Sequence, residues 1–287
     1  MNNLIEIDNV DVNAIELRKS KSEKKQGKMY NVFHDGKRLE VILPEMDAPF
    51  GAKVLTDYGC KVSITLSFSG MEEETKRGER LRRTHAKLVQ IQEKIRSLIM
   101  SNTGEYFKDK KKPSVDVLND RIKNFIHESR GKDGKEYADV FRTELQRYTP
   151  GEKDKDKSVS EIEDLKKQFV SLRDMPLFKN RSKTGVDVNI ENVTDVIGWG
   201  TRLKPIVSFA YVWIMGSDQK CTPKWYITHA LITSEKSNMD IDLNPDEDEE
   251  ESTTTKTQDV TMEDDEENME EDEEVEYEDE VEAQVRM

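Results

Sequence analysis

The residues best suited to chemistry in this chain are flat rings set among cations. Tyr211, Trp213, Trp225 and Tyr226 fall in one stretch that also carries Arg202, Lys204 and Lys224. An aromatic side chain on a strand can stack on an unpaired base, while a nearby Lys or Arg tracks the adjoining phosphates. A duplex hides its base faces, so such a surface favours a single strand. Any one of these rings could instead fill a core. Both faces of the predicted strands carry aromatics, however, which places at least one ring outside.

Reaction chemistry is not legible. His34, His85, His127 and His229 are far apart in sequence and lack metal-ligand spacing. Cys60 and Cys221 form no CxxC pair, have no neighbouring histidine and give no disulfide framework, which fits a reduced cytosolic or nuclear setting. No phosphate-cradling glycine loop of the P-loop or dinucleotide type occurs. The acidic runs near the C-terminus lack the fixed geometry that selects Mg²⁺ or Ca²⁺. The sequence predicts a binding protein rather than an enzyme, with no cofactor and no metal.

The elements that must position the rings follow from apolar spacing. Leu203 to Met215 reads as a strand with Phe209, Tyr211 and Trp213 on one face. Lys224 to Ile232 reads as its antiparallel partner across the loop Gly216 to Pro223. Asp35-Gly36 between two apolar-alternating runs, Met29 to Phe33 and Arg38 to Leu43, signals a hairpin. Lys61 to Phe68 aligns Val62, Ile64, Leu66 and Phe68 as a half-buried strand. Leu81, Leu88, Ile91, Ile95, Leu98 and Ile99 recur at helical spacing between Glu72 and Ser101, predicting one long packed helix. Its polar side carries Arg82, Arg83, Lys87, Lys94 and Arg96. Ser114 caps a second predicted helix over Val115 to Ile126. Tyr137 to Leu145 could be a strand. Thr149 to Lys157 reads as an exposed loop, and Ser160 to Arg173 has helical spacing.

Charge divides the chain. Of 45 basic and 60 acidic side chains, 24 acids and only two cations, Lys256 and Arg286, fall in residues 237–287. Residues 1–236 keep 43 basic and 36 acidic side chains, a net of +7. A like-charge block of this kind predicts a disordered acidic tail. A cationic domain beside its own anionic competitor suits reversible handling of a polyanion. No apolar run reaches membrane-spanning length. The first ten residues carry acids where a signal peptide needs a basic and then an apolar stretch, so export is not expected.

A family resemblance runs through these elements in order. Gln26-Gly27-Lys28 closes a basic arm before the first strand, and Pro44-Glu45-Met46-Asp47-Ala48-Pro49-Phe50-Gly51 is the most specific piece. Tyr58, the strand Lys61 to Phe68 and the long helix follow, then Asn102, Tyr106-Phe107 and Lys110-Lys111. Gly200, Arg202-Leu203-Lys204, Tyr211-Val212-Trp213-Ile214 and Lys224-Trp225 complete the series. In this the chain resembles the single-stranded-DNA-binding proteins of nucleocytoplasmic large DNA viruses, of the phycodnavirus and asfarvirus type. The stretch 149–181 and the loop Gly216 to Pro223 depart from that pattern, and the acidic tail is longer.

The resemblance implies an α+β fold: an OB-like mixed β-barrel with one long helix and added short helices, followed by a disordered acidic C-terminal tail. It implies a flexible basic arm with a short N-terminal segment over 1–27, a binding domain over 28–236 with an insertion at 149–181, and the tail over 237–287. Phe50, Lys61, Lys110 and Lys111 join Arg202, Lys204, Tyr211, Trp213, Lys224, Trp225 and Tyr226 as expected DNA contacts. The implied role is coating unwound DNA in viral replication, repair or recombination, in the host nucleus or at a cytoplasmic viral replication site. The tail would modulate DNA affinity and recruit replication or recombination proteins. Monomer and homo-oligomer both fit. The alternative reading of the same charge pattern is an acidic-tailed nuclear histone chaperone.

Overall fold

A computed structural model of the chain describes residues 3–21, 27–55, 61–107, 109, 113–130, 136–151, 154–170, 176–217 and 219–234. Tyr58, Lys110, Lys111, the acidic segment 237–287 and parts of the 149–181 stretch lie outside the described residues. Seven strands precede the long helix: β1 (Asn3–Glu6), β2 (Ile15–Lys19), β3 (Gly27–His34), β4 (Lys37–Ile42), β5 (Met46–Ala48), β6 (Ala52–Leu55) and β7 (Lys61–Ser67). The long helix is α1 (Lys76–Ser101). Short helices α2 (Thr103–Tyr106) and α3 (Val115–Arg121) lead into the hairpin β8 (Ile126–Arg130) and β9 (Glu136–Leu145). Then come α4 (Val159–Lys166), β10 (Phe178–Lys179), β11 (Gly185–Val186), α5 (Val193–Val196) and the long hairpin β12 (Thr201–Met215) and β13 (Cys221–Ser234).

Five of these strands close a barrel in the order β12, β5, β7, β9, β13 and back to β12. Thr201 lies opposite Ala48, Asp47 opposite Ser67, Leu66 opposite Phe141, Glu144 opposite Tyr226, and Ile227 opposite Val207. The β9–β13 pairing is parallel and the other four are antiparallel, so the barrel is mixed. Beyond the barrel, β12 also pairs with β4 over Ile206 to Phe209 and with β3 over Tyr211 to Met215. This OB-like α+β architecture is the one the family resemblance implies.

Alternation decides what fills the barrel. Val62, Ile64 and Leu66 of β7, Phe141 and Leu145 of β9, and Leu203, Val207 and Phe209 of β12 are buried. Period-two spacing sends these side chains to one face of each strand. In α1, Leu81, Leu88, Ile91, Ile95 and Ile99 are buried, the three- and four-residue steps that make one apolar stripe. Thr75 caps its start by accepting from the Gly78 amide at 3.0 Å. Midway along, the Gln92 carboxamide oxygen accepts from the Phe125 and Ile126 amides at 3.0 and 3.2 Å. That clamp turns the chain into β8, so α3 ends at Arg121 rather than at Ile126 as its spacing suggested.

The N-terminal segment differs from the flexible arm expected over 1–27. Strand β1 runs parallel to β4, and β2 pairs antiparallel with β3 from Ile15 opposite His34 to Lys19 opposite Tyr30. Ile7, Val10 and Ile15 are buried in the core, and this apolar anchoring outweighs the polar composition around them. Residues 22–26 of that arm lie outside the described residues.

Candidate nucleic-acid interface

The hairpin that carries the expected contacts has three register irregularities, at Arg202/Leu203, Ile206/Val207 and Phe209/Tyr211. Along β12, Leu203, Pro205, Val207 and Phe209 are buried, as alternation requires. A bulge between Phe209 and Tyr211 then shifts the count, and Val212 and Ile214 become the inward residues. Phe209, Tyr211 and Trp213 therefore do not share a face. Phe209 points into the core, whereas Tyr211 and Trp213 are half-buried on the exterior. At Ile206/Val207 the extra residue is instead on β13, where Thr228 lies between the partners His229 and Ile227, so β12 keeps its alternation there.

Trp225 corrects an expected contact. It is 2 % exposed and lies face to face with Phe209, with ring centroids 4.3 Å apart and planes 21° off parallel. Phe141 and Phe125 meet it at 5.3 and 5.4 Å. Opposite Phe209 on the neighbouring strand, it takes the interior by register. A ring packed on three others cannot also receive a base, so Trp225 is a core residue.

Cross-strand register assembles the remaining residues on the barrel exterior. Lys224 lies opposite Tyr211, Glu144 opposite both Ser63 and Tyr226, Arg142 opposite Thr65, and Lys61 opposite Leu55. On the other side of β12, Trp213 lies opposite Met29 and Tyr211 opposite Asn31. Tyr211, Trp213, Tyr226, Lys224 and Lys61, all expected contacts, thus share one continuous sheet face. Gly27 permits the ring of Trp213 to lie flat across β3: a Cβ there would stand 2.6 Å from Trp213 Cζ2 and 2.4 Å from the Ile214 carbonyl oxygen.

The face is organised by two polar pairs. The phenols of Tyr211 and Tyr226 are 3.0 Å apart and hydrogen-bonded, with their rings 6.2 Å apart edge to face. Burial raises the Tyr226 phenol above its ordinary pKa, and Tyr211 and Glu144 raise it further, so it stays protonated. Lys224 Nζ donates to Glu144 Oε1 at 2.5 Å. Burial, and then the neighbouring Lys224, lower the pKa of the Lys61 ammonium, with Glu144 opposing. Lys61 and Arg142 are exposed cations beside the rings. Such a face can stack planar groups and pair with anions along one track.

Other expected contacts fall elsewhere. Arg202 begins β12, about 30 Å along the strand from Tyr211 at the usual rise. Its guanidinium is engaged by Asp47 at 2.7 Å and Glu45 at 3.4 Å, contacts that raise its pKa. Lys204 lines a groove of about 580 Å³ together with Arg80, Arg83, Glu6, Asp8 and Glu45. Cations of α1 are largely bound to the protein itself: Lys87 to the Val10 carbonyl, Arg82 to those of Met71 and Glu73, Arg83 to Asp8, and Arg96 to Asn119 and Asn124. Phe50 stands 54 % exposed on the turn between β5 and β6, with Lys53 Nζ 5.5 Å from its ring centre. Sequence reasoning missed Trp199, which is 64 % exposed. The readable signal was a tryptophan flanked by Gly198 and Gly200, a ring placed in turn chemistry rather than in an alternating strand.

Fold and face together define an OB-like barrel with a mixed aromatic and cationic exterior. Among described residues no group of three or more His, Cys, Asp or Glu could hold a metal ion, and no helix is long and apolar enough to cross a membrane. No protein-family model and no curated protein matches the chain. Among solved structures it is similar to gp2.5, a single-stranded DNA binding protein encoded by bacteriophage T7. The TM-score is 0.38 at 12 % identity, covering 72 % of this chain and 98 % of that one. It is also similar to the single-stranded DNA-binding protein from bacteriophage Enc34, with a TM-score of 0.31 at 10 % identity, covering 77 % of this chain and 95 % of that one. At these scores neither likeness bears on function. Neither protein is of the phycodnavirus or asfarvirus type.

Proposed function

We propose that this chain is a non-enzymatic single-stranded-DNA-binding protein whose contact surface is the barrel face around Tyr211, Trp213 and Tyr226. The observation that carries the reading is the register of Lys224 opposite Tyr211, with Lys61 two strands away: rings and cations alternate on one open face. Bases stack on Trp213 and Tyr211, and phosphates run past Lys61, Arg142 and Lys224. Stacking is sequence-tolerant, so the protein coats DNA rather than reading it. Arg202, Lys204, Lys110 and Lys111 serve as further phosphate contacts.

The finer setting rests on the family resemblance in the sequence. It is the coating of unwound DNA in viral replication, repair or recombination, in the host nucleus or at a cytoplasmic replication site. The acidic tail competes with DNA and recruits replication or recombination proteins. A histone chaperone would offer carboxylates to a basic partner, and the barrel face offers the opposite charge.

Direct titration tests the reading. The full chain should bind oligo-dT of about 30 nucleotides at least about tenfold more tightly than a duplex of equal length. With about five phosphates neutralised, log K should fall against log salt with a slope near −3.5, from about −0.7 per phosphate. Equal affinity for the duplex, or binding of purified histones in place of the oligonucleotide, would refute it.

A further inference from the structure

Two tight turns at the barrel rim each hold an aromatic ring out to solvent, and a single carbonyl joins them. The Ala48 oxygen accepts from the Gly51 amide, closing the turn that carries Phe50, and from the Gly200 amide in the turn that carries Trp199, both at 3.1 Å. Thr201 N donates to the Gly198 oxygen at 3.2 Å, with Gly200 at φ +73°, the geometry of a turn that requires φ > 0 at its third residue. Ala52 N donates to the Ile197 oxygen at 2.8 Å, and a Cβ on Gly51 would stand 2.5 Å from that same oxygen. The two turns are thus fixed against each other by backbone contacts, and each ring lies one residue from the junction.

Large apolar groups brought together at the surface, rather than one exposed side chain, are the informative exception. Here Phe50 and Trp199 are 54 % and 64 % exposed, and Lys53 Nζ lies 5.5 Å from the Phe50 ring centre. Lys53 faces Ser63, and the next outward pair on the same strands is Leu55 opposite Lys61. The rim therefore continues into the sheet face along β6 and β7.

We propose that Phe50 and Trp199 form a second stacking site for unpaired nucleobases, at the barrel rim and separate from the Tyr211–Trp213 face. The inference rests on the single-stranded-DNA reading above. The occupant is a base because the site pairs flat apolar surface with a cation, the two needs of a nucleotide, and because the cationic track leads to it. Fixed turns present the rings without further ordering on binding, which lowers the entropic cost of capture.

The test uses full-length protein carrying Trp213→Phe, so that emission reports Trp199 against the buried Trp225, with oligo-dT as the probe. Binding should quench the Trp199 emission. Separately, Phe50→Ala and Trp199→Ala in the parent should each weaken oligo-dT binding roughly 5- to 150-fold, the range for loss of one stacked base, with melting unchanged. If both variants bind like the parent while Tyr211→Ala loses affinity, the rim site is overturned and the sheet-face reading stands. If the parent itself ignores oligo-dT, both fail. Quenching of Trp199 by raising protein concentration without DNA would mean that a second copy covers the rim, and would also overturn the proposal.

Discussion

Lys224 and Glu144 hold each other at 2.5 Å in the middle of the exterior face, on neighbouring strands, with side chains 20 % and 24 % exposed. The carboxylate occupies the place at Lys224 that a DNA phosphate would take. Under the proposed function it is an internal anion that orients the cation and would have to be displaced or outcompeted by DNA.

Glu144→Gln should therefore strengthen single-stranded-DNA binding, because it frees Lys224 and removes a like charge from the phosphate track. The salt dependence should steepen by about 0.7 in log–log slope as one more phosphate is neutralised. Stability should fall slightly, by about 0–1 kcal/mol, since the pair is partly solvated. Titrations of both proteins at several salt concentrations read the slope. An unchanged slope and affinity would place Lys224 outside the contact.

Trp225 and Tyr211 should respond to truncation in opposite ways. Trp225→Ala removes a ring packed on Phe209, Phe141 and Phe125, and should cost about 3–5 kcal/mol of folding stability. DNA affinity of the remaining folded fraction should hold. Tyr211→Ala should instead cost about 1–3 kcal/mol of affinity, with a stability loss near that of one hydrogen bond, about 0.5–1.5 kcal/mol. Melting and binding measured on the same samples separate the two.

These contrasting roles mark where the sequence stops being readable. The long helix was legible because Leu81, Leu88, Ile91, Ile95 and Ile99 keep helical spacing within its 26 residues and all are buried. Strand β7 was legible because Val62, Ile64 and Leu66 alternate and are buried, and the end of β9 because Phe141, Thr143 and Leu145 do the same. In β12 the same rule failed after Phe209, since a bulge inserts one residue and flips every later side chain. Nothing in Phe209-Ala210-Tyr211 announces that insertion. It is fixed by pairing with β13 on one edge and with β4 and then β3 on the other. Trp225 was misread for a related reason: a tryptophan beside Lys224 looks like a surface residue until its partner across the strand is known. Trp199 was passed over because turns carry no periodicity.

His127 gives the fold a handle on pH. Burial, and then the cations Arg142 and Lys123, lower its imidazole to about 4 from an ordinary 6.5. Between those values the unfolded chain binds a proton that the folded chain refuses, so stability rises with pH across the window. The contribution is complete above 6.5 and is lost as pH falls toward 4. His127→Gln should flatten this dependence, gaining roughly 1–2 kcal/mol relative to the parent near pH 4.5 and little at pH 7, allowing for partial exposure of the ring. Thermal melts of both proteins at the two pH values test the sign. A parallel loss on acidification would show that carboxylates alone govern it.

The acidic segment makes a prediction about affinity that depends on salt. Residues 237–287 carry 24 acids and two cations, a charge of −22, against +7 for residues 1–236. If the segment is the solvated tether its composition predicts, a chain of about fifty residues would have a reach of about 40 Å. Such a tether would raise its effective concentration near the cationic domain into the millimolar range. Under the proposed function, Lys61, Arg142 and Lys224 would then be neutralised either by this segment or by phosphates, in competition. Truncation after residue 236 should raise affinity for oligo-dT at low salt. The gain should shrink toward physiological ionic strength, where screening sets in beyond about 8 Å. DNA would in turn release the segment to basic surfaces of partner proteins. Parallel titrations of the full-length and truncated proteins at two salt concentrations decide the matter: the same affinity for both at low salt would mean that the segment never reaches the proposed binding face.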